Sequence, residues 1–465
     1  MNFLSFTQQA LVLFILGTIP ILFGAVQAWI WPIYTVAAYA AVAALAWSAV
    51  ASDHSARGRS GATAGWAAAA LFLALTLAAC LPLPDALLAL LSPARFDLLR
   101  HSADLTGSAP VWSTISYAPL QSLAWWAFLL GLALLFAVLS ARLANARFLR
   151  VTLWVLLALA VAQALYGLLQ ALIPNLGVLW VTYLQSGMGD ARGTYINRNH
   201  FAGFMAMLLP LLLGFSLSRV RWEEGLDFRA LLRSDRPHQH MLMVLGLVLM
   251  ALALLFSKSR GGITGTLVGL FVFVVLVRGG ARRIPAGVWA VMGLFLGLTL
   301  FYGLRIGFGP IIERFLAIDA DISRLGYWRD SLPVIAAHPF GIGLAAFETV
   351  FPIYEASLGS ETRTAVHLHN DVLQLLVEAG WAGFVVLAGA FTLFMLQMLR
   401  RIRRMGTGAD PGRFFLAAGA YSGLVALSLH SFLDFNLQIP ANAVYFVTLM
   451  AIVRVTSRGA IGDRR

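Results

Sequence analysis

Long apolar runs alternate with polar breaks along the whole chain. Runs of about 20 apolar residues, enough to cross roughly 30 Å of hydrocarbon, recur along its length. They fall near 4–26, 28–51, 64–83, 121–141, 150–171, 200–217, 241–257, 261–278, 286–304, 378–399, 414–430 and 441–456. The pattern predicts an all-α polytopic membrane protein with about twelve transmembrane helices. The first run lacks a basic lead and a small-residue cleavage site, so it reads as an uncleaved helix.

The polar breaks are of two kinds. Short Arg-rich connections lie around 57–59, 142–150, 219–236, 278–283, 400–413 and 454–465. Positive charge collects on the cytoplasmic side of membrane proteins, so both termini are assigned there. The long connections 84–120, 172–199 and 305–377 then face outward, and the last is large enough for a small helical subdomain. This divides the chain into an N-terminal helical part (1–190), a core carrying the outer motifs (191–385) and C-terminal helices (386–465). The absence of a visible internal repeat weighs against an inverted-repeat transporter.

Composition agrees and removes other classes. The 465 residues are 60% apolar and 12% charged, with mean hydropathy +0.81, which excludes a soluble enzyme. The net charge of +12 follows from topology and affinity for anionic membrane lipid, so no nucleic-acid partner is needed to explain it. A lone cysteine, Cys80, cannot form an intrachain disulfide.

Three polar motifs stand out on the outer side. ARGTYINRNHFAGF (191–204) places Arg192, Asn197, Arg198, Asn199 and His200 before the sixth span, with Gly193 and Gly203 permitting close backbone approach. Alone, it could be a set of snorkelling arginines at an interface. SKSRGG (257–262) is a tight turn between two spans that carries Lys258, the only lysine in the chain, and Arg260. A hairpin needs no such pair of cations, so an anionic ligand is expected. AVHLHNDVLQLLVEAGWAGF (365–384) spaces His367, Asn370, Asp371, Gln374 and Glu378 at helical steps, forming one polar stripe. With Asn370 or Asp371 as N-cap, His369 falls at the positive end of the helix, outside its hydrogen-bond ladder.

These residue types suit transfer from an anionic donor. Arginine forks pair with phosphate oxygens and offset the charge on a departing diphosphate. A histidine can accept the proton of an acceptor hydroxyl. No HExxH, DxD, Walker or CxxC pattern offers a metal or nucleotide site.

RGTYINRNHFAGF, SKSRGG, SRLGYWRDSLPVIAAHPFGIGLAAF (323–347) and HNDVLQLLVEAGWAGF (369–384), in that order, resemble the signatures of the O-antigen ligase and O-antigen polymerase superfamily. The resemblance covers about 190–385. It implies a GT-C-type membrane glycosyltransferase that moves a glycan from undecaprenyl diphosphate to an acceptor on the periplasmic side of the bacterial inner membrane, with neither metal nor other cofactor. By position, Arg192 and Arg260 match the family's donor-holding arginines, with Lys258 beside them. His369 matches the histidine of its HN(D/S)xL segment and is the implied catalytic base. Arg324, Tyr327, His338 and Gly341 match the loop pattern and, with His367, Asn370 and Asp371, are expected to position substrate. Where many relatives read NPN this chain reads NRNH, so Arg198 and His200 add charge that the resemblance does not explain; they too are expected to position substrate.

The resemblance leaves the acceptor open among a lipid-linked repeat unit, the lipid A core and, in a third branch, protein. Surface polysaccharide is favoured because no extra C-terminal domain for recognising a protein is visible. A transporter or flippase of lipid-linked oligosaccharide is the competing class. It calls for charges at mid-span, whereas the ionisable residues gather at the outer ends; beyond the motifs only His430 and Asp434, in LHSFLDFNLQIP, join them.

Overall fold

The computed structural model describes residues 3–51, 63–107, 113–173, 175–181, 189–219, 237–280, 319–356, 365–406 and 410–458, with isolated positions at 293, 297 and 301. Among these residues the chain is helical, with only an isolated bridge between Val178 and Val181. The helices are α1 (Phe3–Thr18), α2 (Trp31–Ala51), α3 (Thr63–Ala78), α4 (Asp85–Leu91), α5 (Pro93–Thr106), α6 (Pro119–Arg142), α7 (Ala146–Leu172) and α8 (Arg198–Ser218). They continue with α9 (Pro237–Phe256), α10 (Arg260–Gly280), α11 (Asp319–Ala337), α12 (Phe347–Val350), α13 (Asp371–Met405), α14 (Pro411–His430) and α15 (Pro440–Thr456).

Seven helices, α6, α7, α8, α9, α10, α13 and α14, are long and apolar enough to cross a membrane, and α1, α2, α3 and α15 are shorter apolar helices. These eleven correspond to the expected runs. Apart from the isolated positions 293, 297 and 301, the remaining run, 286–304, lies outside the described residues, as do the Arg-rich connection 57–59, most of 219–236 and half of 278–283. Two of the three long connections carry helices: α4 and α5 occupy part of 84–120, and α11 and α12 part of 305–377.

Local chemistry sets the helix starts. Proline opens α5, α6, α14 and α15, where its missing N–H is not needed. Asparagine caps α7, α8 and α13: Asn145, Asn197 and Asn370 accept from the N–H of Phe148, Asn199 and Leu373.

The bundle is built around α8, with 94% of its most apolar window buried, against 11% for α13 at the periphery. α8 packs most extensively on α14, which also holds α10 and α15. The α8–α14 crossing is close because glycines face backbone. A Cβ on Gly419 would lie 2.5 Å from the carbonyl oxygen of Pro210, and one on Gly423 would lie 2.3 Å from that of Met207. α10 meets α14 similarly, with Gly265 and Gly269 against the carbonyl oxygens of Ala426 and Ser422 and Gly261 against the ring of His430. Small residues let helices approach where apolar surroundings supply no hydrophobic drive to associate. The three helices therefore form a tight platform, and the N-termini of α8 and α10 and the C-terminus of α14 meet at one end of it.

α13 breaks at Gly380, which has φ 65° and ψ −178°. The break separates the polar lead Asp371–Ala379 from the apolar remainder. The peptide of Gly341 packs into it: a Cβ on Gly380 would sit 2.5 Å from the Gly341 nitrogen, and one on Gly341 would sit 2.3 Å from the Glu378 carbonyl oxygen. Only glycines at both positions allow this approach.

Gly419→Leu is expected to overpack the α8–α14 crossing and destabilise the protein by about 1–3 kcal/mol or more, seen as a lower melting temperature in detergent. Gly389→Leu, at a position with no heavy atom within 4 Å of its Cβ, is the control and leaves the melting temperature near that of the parent.

Candidate functional site

The three motifs converge where α8, α10, α13 and α14 meet, around two buried carboxylates that sequence reasoning did not place at the centre, Asp190 and Asp434.

Asp190 organises the cations. Its carboxylate accepts from Lys258 Nζ at 2.9 Å and from Arg198, with Arg192 Nη2 at 3.7 Å. Two backbone features bring these groups together. The Ala191 N–H donates to the Phe256 carbonyl at 2.9 Å, pinning the segment after Asp190 to the end of α9, two residues before Lys258. Lys258 itself takes a left-handed backbone, φ 55°, in the turn to α10. Such a conformation costs a non-glycine residue on the order of 1–3 kcal/mol. Ser257 holds the turn, donating from Oγ to the Leu254 carbonyl and accepting from the Ser259 N–H.

The RGTY segment is clamped by two glutamines of α7. Gln170 Oε1 accepts from the Arg192 N–H, and Gln170 Nε2 donates to the Gly193 carbonyl. Gln163 exchanges two hydrogen bonds with Thr194, and Thr194 Oγ1 donates to the Pro20 carbonyl. Gly193, at φ 54°, is required by this clamp, since a Cβ there would fall 2.3 Å from Gln163 Oε1. The Arg192 side chain is 7% exposed and its Nη1 donates to the Ile196 carbonyl, so it stands behind the cluster. Burial lowers the pKa of its guanidinium, opposed by Asp190 and reinforced by Arg198.

Asp434, just past the end of α14, gathers the second set. Its Oδ1 accepts from His369 Nδ1 at 3.2 Å and lies 3.8 Å from His200 Nε2. Its Oδ2 accepts from Asn199 Nδ2 at 2.5 Å, with Arg324 Nη2 at 3.7 Å. Burial alone would raise its pKa; the imidazoles of His200 and His369 reverse this and hold the carboxyl well below its ordinary range. An ionised carboxylate only accepts, so the hydrogen bond fixes the proton of neutral His369 on Nδ1 and leaves the lone pair on Nε2.

Phe435 joins the histidines. Its ring stacks on His367 at 4.2 Å between centroids and meets His200 at 4.5 Å and His369 at 4.7 Å edge to face. His369 has φ 51° and is fixed on both sides. Asn370 caps α13 immediately after it, and the Leu368 carbonyl before it accepts from Trp328 Nε1 of α11 at 2.9 Å. Arg324, also on α11, donates to the Leu433 carbonyl at 2.8 Å. The loop subdomain thus braces both the histidine and its carboxylate.

The expected polar stripe divides, because α13 begins at Asp371 and His367 lies before it. His367, Gln374 and Glu378 do form one row: Gln374 Nε2 donates to His367 Nδ1 at 3.0 Å and to Glu378 Oε1 at 2.9 Å. Asn370 turns back onto its own helix. Asp371 faces the segment after α14, with Oδ2 accepting from the Leu437 N–H at 2.9 Å and its own N–H donating to the Ser431 carbonyl. Burial, with His200 and His369 nearby, pushes the His367 pKa down to about 4, offset in part by Gln374 and Asp434.

His338 and Tyr327 lie in the loop subdomain. His338 Nε2 is 3.0 Å from the Tyr354 hydroxyl and 3.5 Å from that of Tyr117, whose ring lies under Arg95. Burial and Arg95 lower the His338 pKa to about 4. Tyr327 packs edge to face on Phe351.

The unexplained NRNH tetrad is what joins the two sets. Asn197 caps α8; Arg198 goes to Asp190, while Asn199 and His200 go to Asp434. Asn442 holds this turn from α15, donating to the His200 carbonyl and accepting from the Tyr195 hydroxyl. Arg260 opens α10 two residues after Lys258, beside Gly261 packed on His430. Arg198, Lys258, Arg324 and His369 keep 19–28% of their side-chain surface accessible and are the groups positioned to meet a ligand. Among the described residues no group of three or more His, Cys, Asp or Glu is arranged to hold a metal ion.

The fold and site are those of a multi-pass helical membrane protein with a cationic, histidine-bearing polar centre at one end of its bundle. A family model described as O-antigen ligase matches residues 245–388, about a third of the chain, and supports its resemblance to the O-antigen ligase and polymerase superfamily. The match includes Lys258, Arg260, Arg324, Tyr327, His338, His367, His369, Asn370 and Asp371, whereas Asp190, Arg192, Arg198, His200 and Asp434 lie outside it. No curated protein matches the chain significantly.

The His367 shift carries a sign for stability. Its folded pKa of about 4 lies below the ordinary 6.5, so between those values the unfolded chain binds the extra proton. The neutral ring's contribution is complete above about pH 6.5 and is lost as pH falls toward 4. The melting temperature in detergent is expected to fall across that window and to fall less steeply in His367→Gln; parallel curves would reject the assignment.

Proposed function

We propose that this chain transfers a glycan from undecaprenyl diphosphate to an acceptor hydroxyl, on the periplasmic side of a bacterial inner membrane, in the polymerisation or ligation of a surface polysaccharide. One observation carries the reading: the carboxylate that orients His369 through Nδ1 and the carboxylate that gathers the cations are both held by the first turn of α8, in a chain that matches the O-antigen ligase model over 245–388. Arg198, Lys258 and Arg324 reach the surface around the buried carboxylates Asp190 and Asp434, and permanent cations of this kind suit a diphosphate.

In this mechanism the acceptor oxygen attacks the anomeric carbon as the bond from that carbon to the diphosphate oxygen breaks. The acceptor proton passes to Nε2 of His369, and Asp434 stabilises the resulting imidazolium. The electron pair of the broken bond stays on the diphosphate, where Lys258, Arg260 and Arg198 offset it while Arg192 supports them from behind. These cations can supply the charge stabilisation without a metal. Arg324, His367 and His200 hold the histidine centre in register, and Asn370 and Asp371 fix the helix start beneath it. His338 and Tyr327 shape the loop subdomain that borders the acceptor. Undecaprenyl-linked glycan is the donor; the acceptor is a lipid-linked repeat unit or the lipid A core.

The same reading takes twelve spans of GT-C type, with 286–304 among them, both termini in the cytoplasm and 191–385 as the catalytic core between 1–190 and 386–465. The Arg-rich connections and the apolar runs support it.

Reconstituted with an undecaprenyl-diphosphate-linked glycan, the wild-type chain is expected to form the new glycosidic linkage, and His369→Ala to slow it by about 10²–10⁴-fold. Arg260→Ala is expected to weaken both donor binding and rate. Undiminished transfer in both variants rejects the site, and glycan crossing the bilayer without a new linkage identifies a flippase.

A further inference from the structure

The cations expected to hold the donor are not waiting empty. Lys258 Nζ is 2.9 Å from Asp190 Oδ1, Arg198 is hydrogen-bonded to Oδ2 of the same carboxylate, and Arg192 Nη2 lies 3.7 Å from that second oxygen. Asp190 is 2% exposed at its side chain, whereas Lys258 and Arg198 are 19% and 21% exposed. The carboxylate therefore sits beneath two cations that reach the surface and beside a third, Arg192, that does not.

This arrangement copies a phosphate. A carboxylate offers a guanidinium two acceptor oxygens in a plane, as a phosphate edge does, and an ammonium pairs with either. Three cations crowded together without a counter-ion repel one another and lose hydration, so an empty cradle would be unstable. Asp190 removes that cost in the donor-free protein. It is also held where it can release its outer partners without becoming an unpaired buried charge, because Arg192 remains beside it, anchored independently through the Ile196 carbonyl.

We propose that Asp190 is an internal stand-in for a donor phosphate: on donor binding, phosphate oxygens replace its carboxylate on Lys258 and Arg198, and on product release the carboxylate returns. This rests on the donor reading above and adds to it an exchange step. No covalent bond changes; two ion pairs to Asp190 are traded for two to the diphosphate. The donor's gross attraction is reduced by the pairs it displaces, and the departing lipid diphosphate is displaced in turn. Asp190 thus moves donor affinity and product release in opposite directions.

The test uses the full-length protein in detergent with inorganic diphosphate as probe, in wild type, Asp190→Asn and Asp410→Asn. Asp410 is a half-exposed helix cap, a role asparagine also fills, and controls for loss of a negative charge. With the competing charge gone, Asp190→Asn is expected to bind diphosphate about tenfold tighter or more than wild type. In reconstituted transfer it should show a lower donor KM together with a lower kcat. Asp410→Asn should match wild type in both. If Asp190 merely holds the cations in place, the sign reverses and Asp190→Asn binds diphosphate more weakly; weaker or unchanged binding in a folded variant overturns the inference alone. Absence of diphosphate binding to every form overturns the donor reading with it. Should Asp190→Asn fail to fold, an experimental structure of wild type with diphosphate decides: Lys258 and Arg198 should have left Asp190 for the ligand, and persistence of both pairs with diphosphate bound overturns the exchange.

Discussion

The hydrogen bond between His369 and Asp434 is only as well defined as the first turn of α8, which presents Asn199 and His200 to one carboxylate and Arg198 to another. Two buried acids from distant parts of the chain are both met by three consecutive residues. Moving that turn by a fraction of a residue would unpair one acid or the other, and an unpaired buried charge costs several kcal/mol. Asn197 as cap and Asn442 from α15 remove the freedom to do so. The histidine centre and the cation centre therefore behave as one unit with a fixed separation.

The surroundings hold two strained residues against that unit. Lys258 and His369 both adopt left-handed backbone, and each is bounded by hydrogen bonds on either side that leave no alternative. Glycine-mediated contact among α8, α10 and α14 keeps the platform beneath them close-packed. The loop subdomain contributes in the other direction, since Arg324 and Trp328 of α11 reach back to the two segments that carry Asp434 and His369. Its role at the site is bracing, carried by backbone carbonyls as much as by charge.

What the sequence made legible was local. Apolar runs located eleven helices, and SKSRGG, RGTY and HND marked the groups later found at the centre, because each motif is confined to a few adjacent residues. A cap at Asn370 or Asp371, with His369 just outside the ladder, followed from residue type and position, and the structure places the cap at Asn370. Pairing across the chain was not legible: Asp434 meets His369 over 65 residues, and Asp190 meets Lys258 only because Ala191 hydrogen-bonds to the end of α9. An acid two residues before Arg192 was the available signal, overshadowed by its basic neighbours. The polar stripe was overextended because helical spacing was assumed from His367, whereas α13 starts four residues later. His338 shares the motif order but folds against Tyr117 and Tyr354, aromatic partners that no spacing rule connects to it.

Lys258 carries one more property. It is the only lysine among 465 residues, and 19% of its side chain is open to solvent above Asp190. The protein thus possesses a single side-chain primary amine, located in the cation cluster itself. Reagents selective for amines, which scatter over the surface of most proteins, have one side-chain target here, and cleavage after lysine divides the chain only at this point. The native sequence already contains a reporter for this one position, usable without introducing any foreign residue.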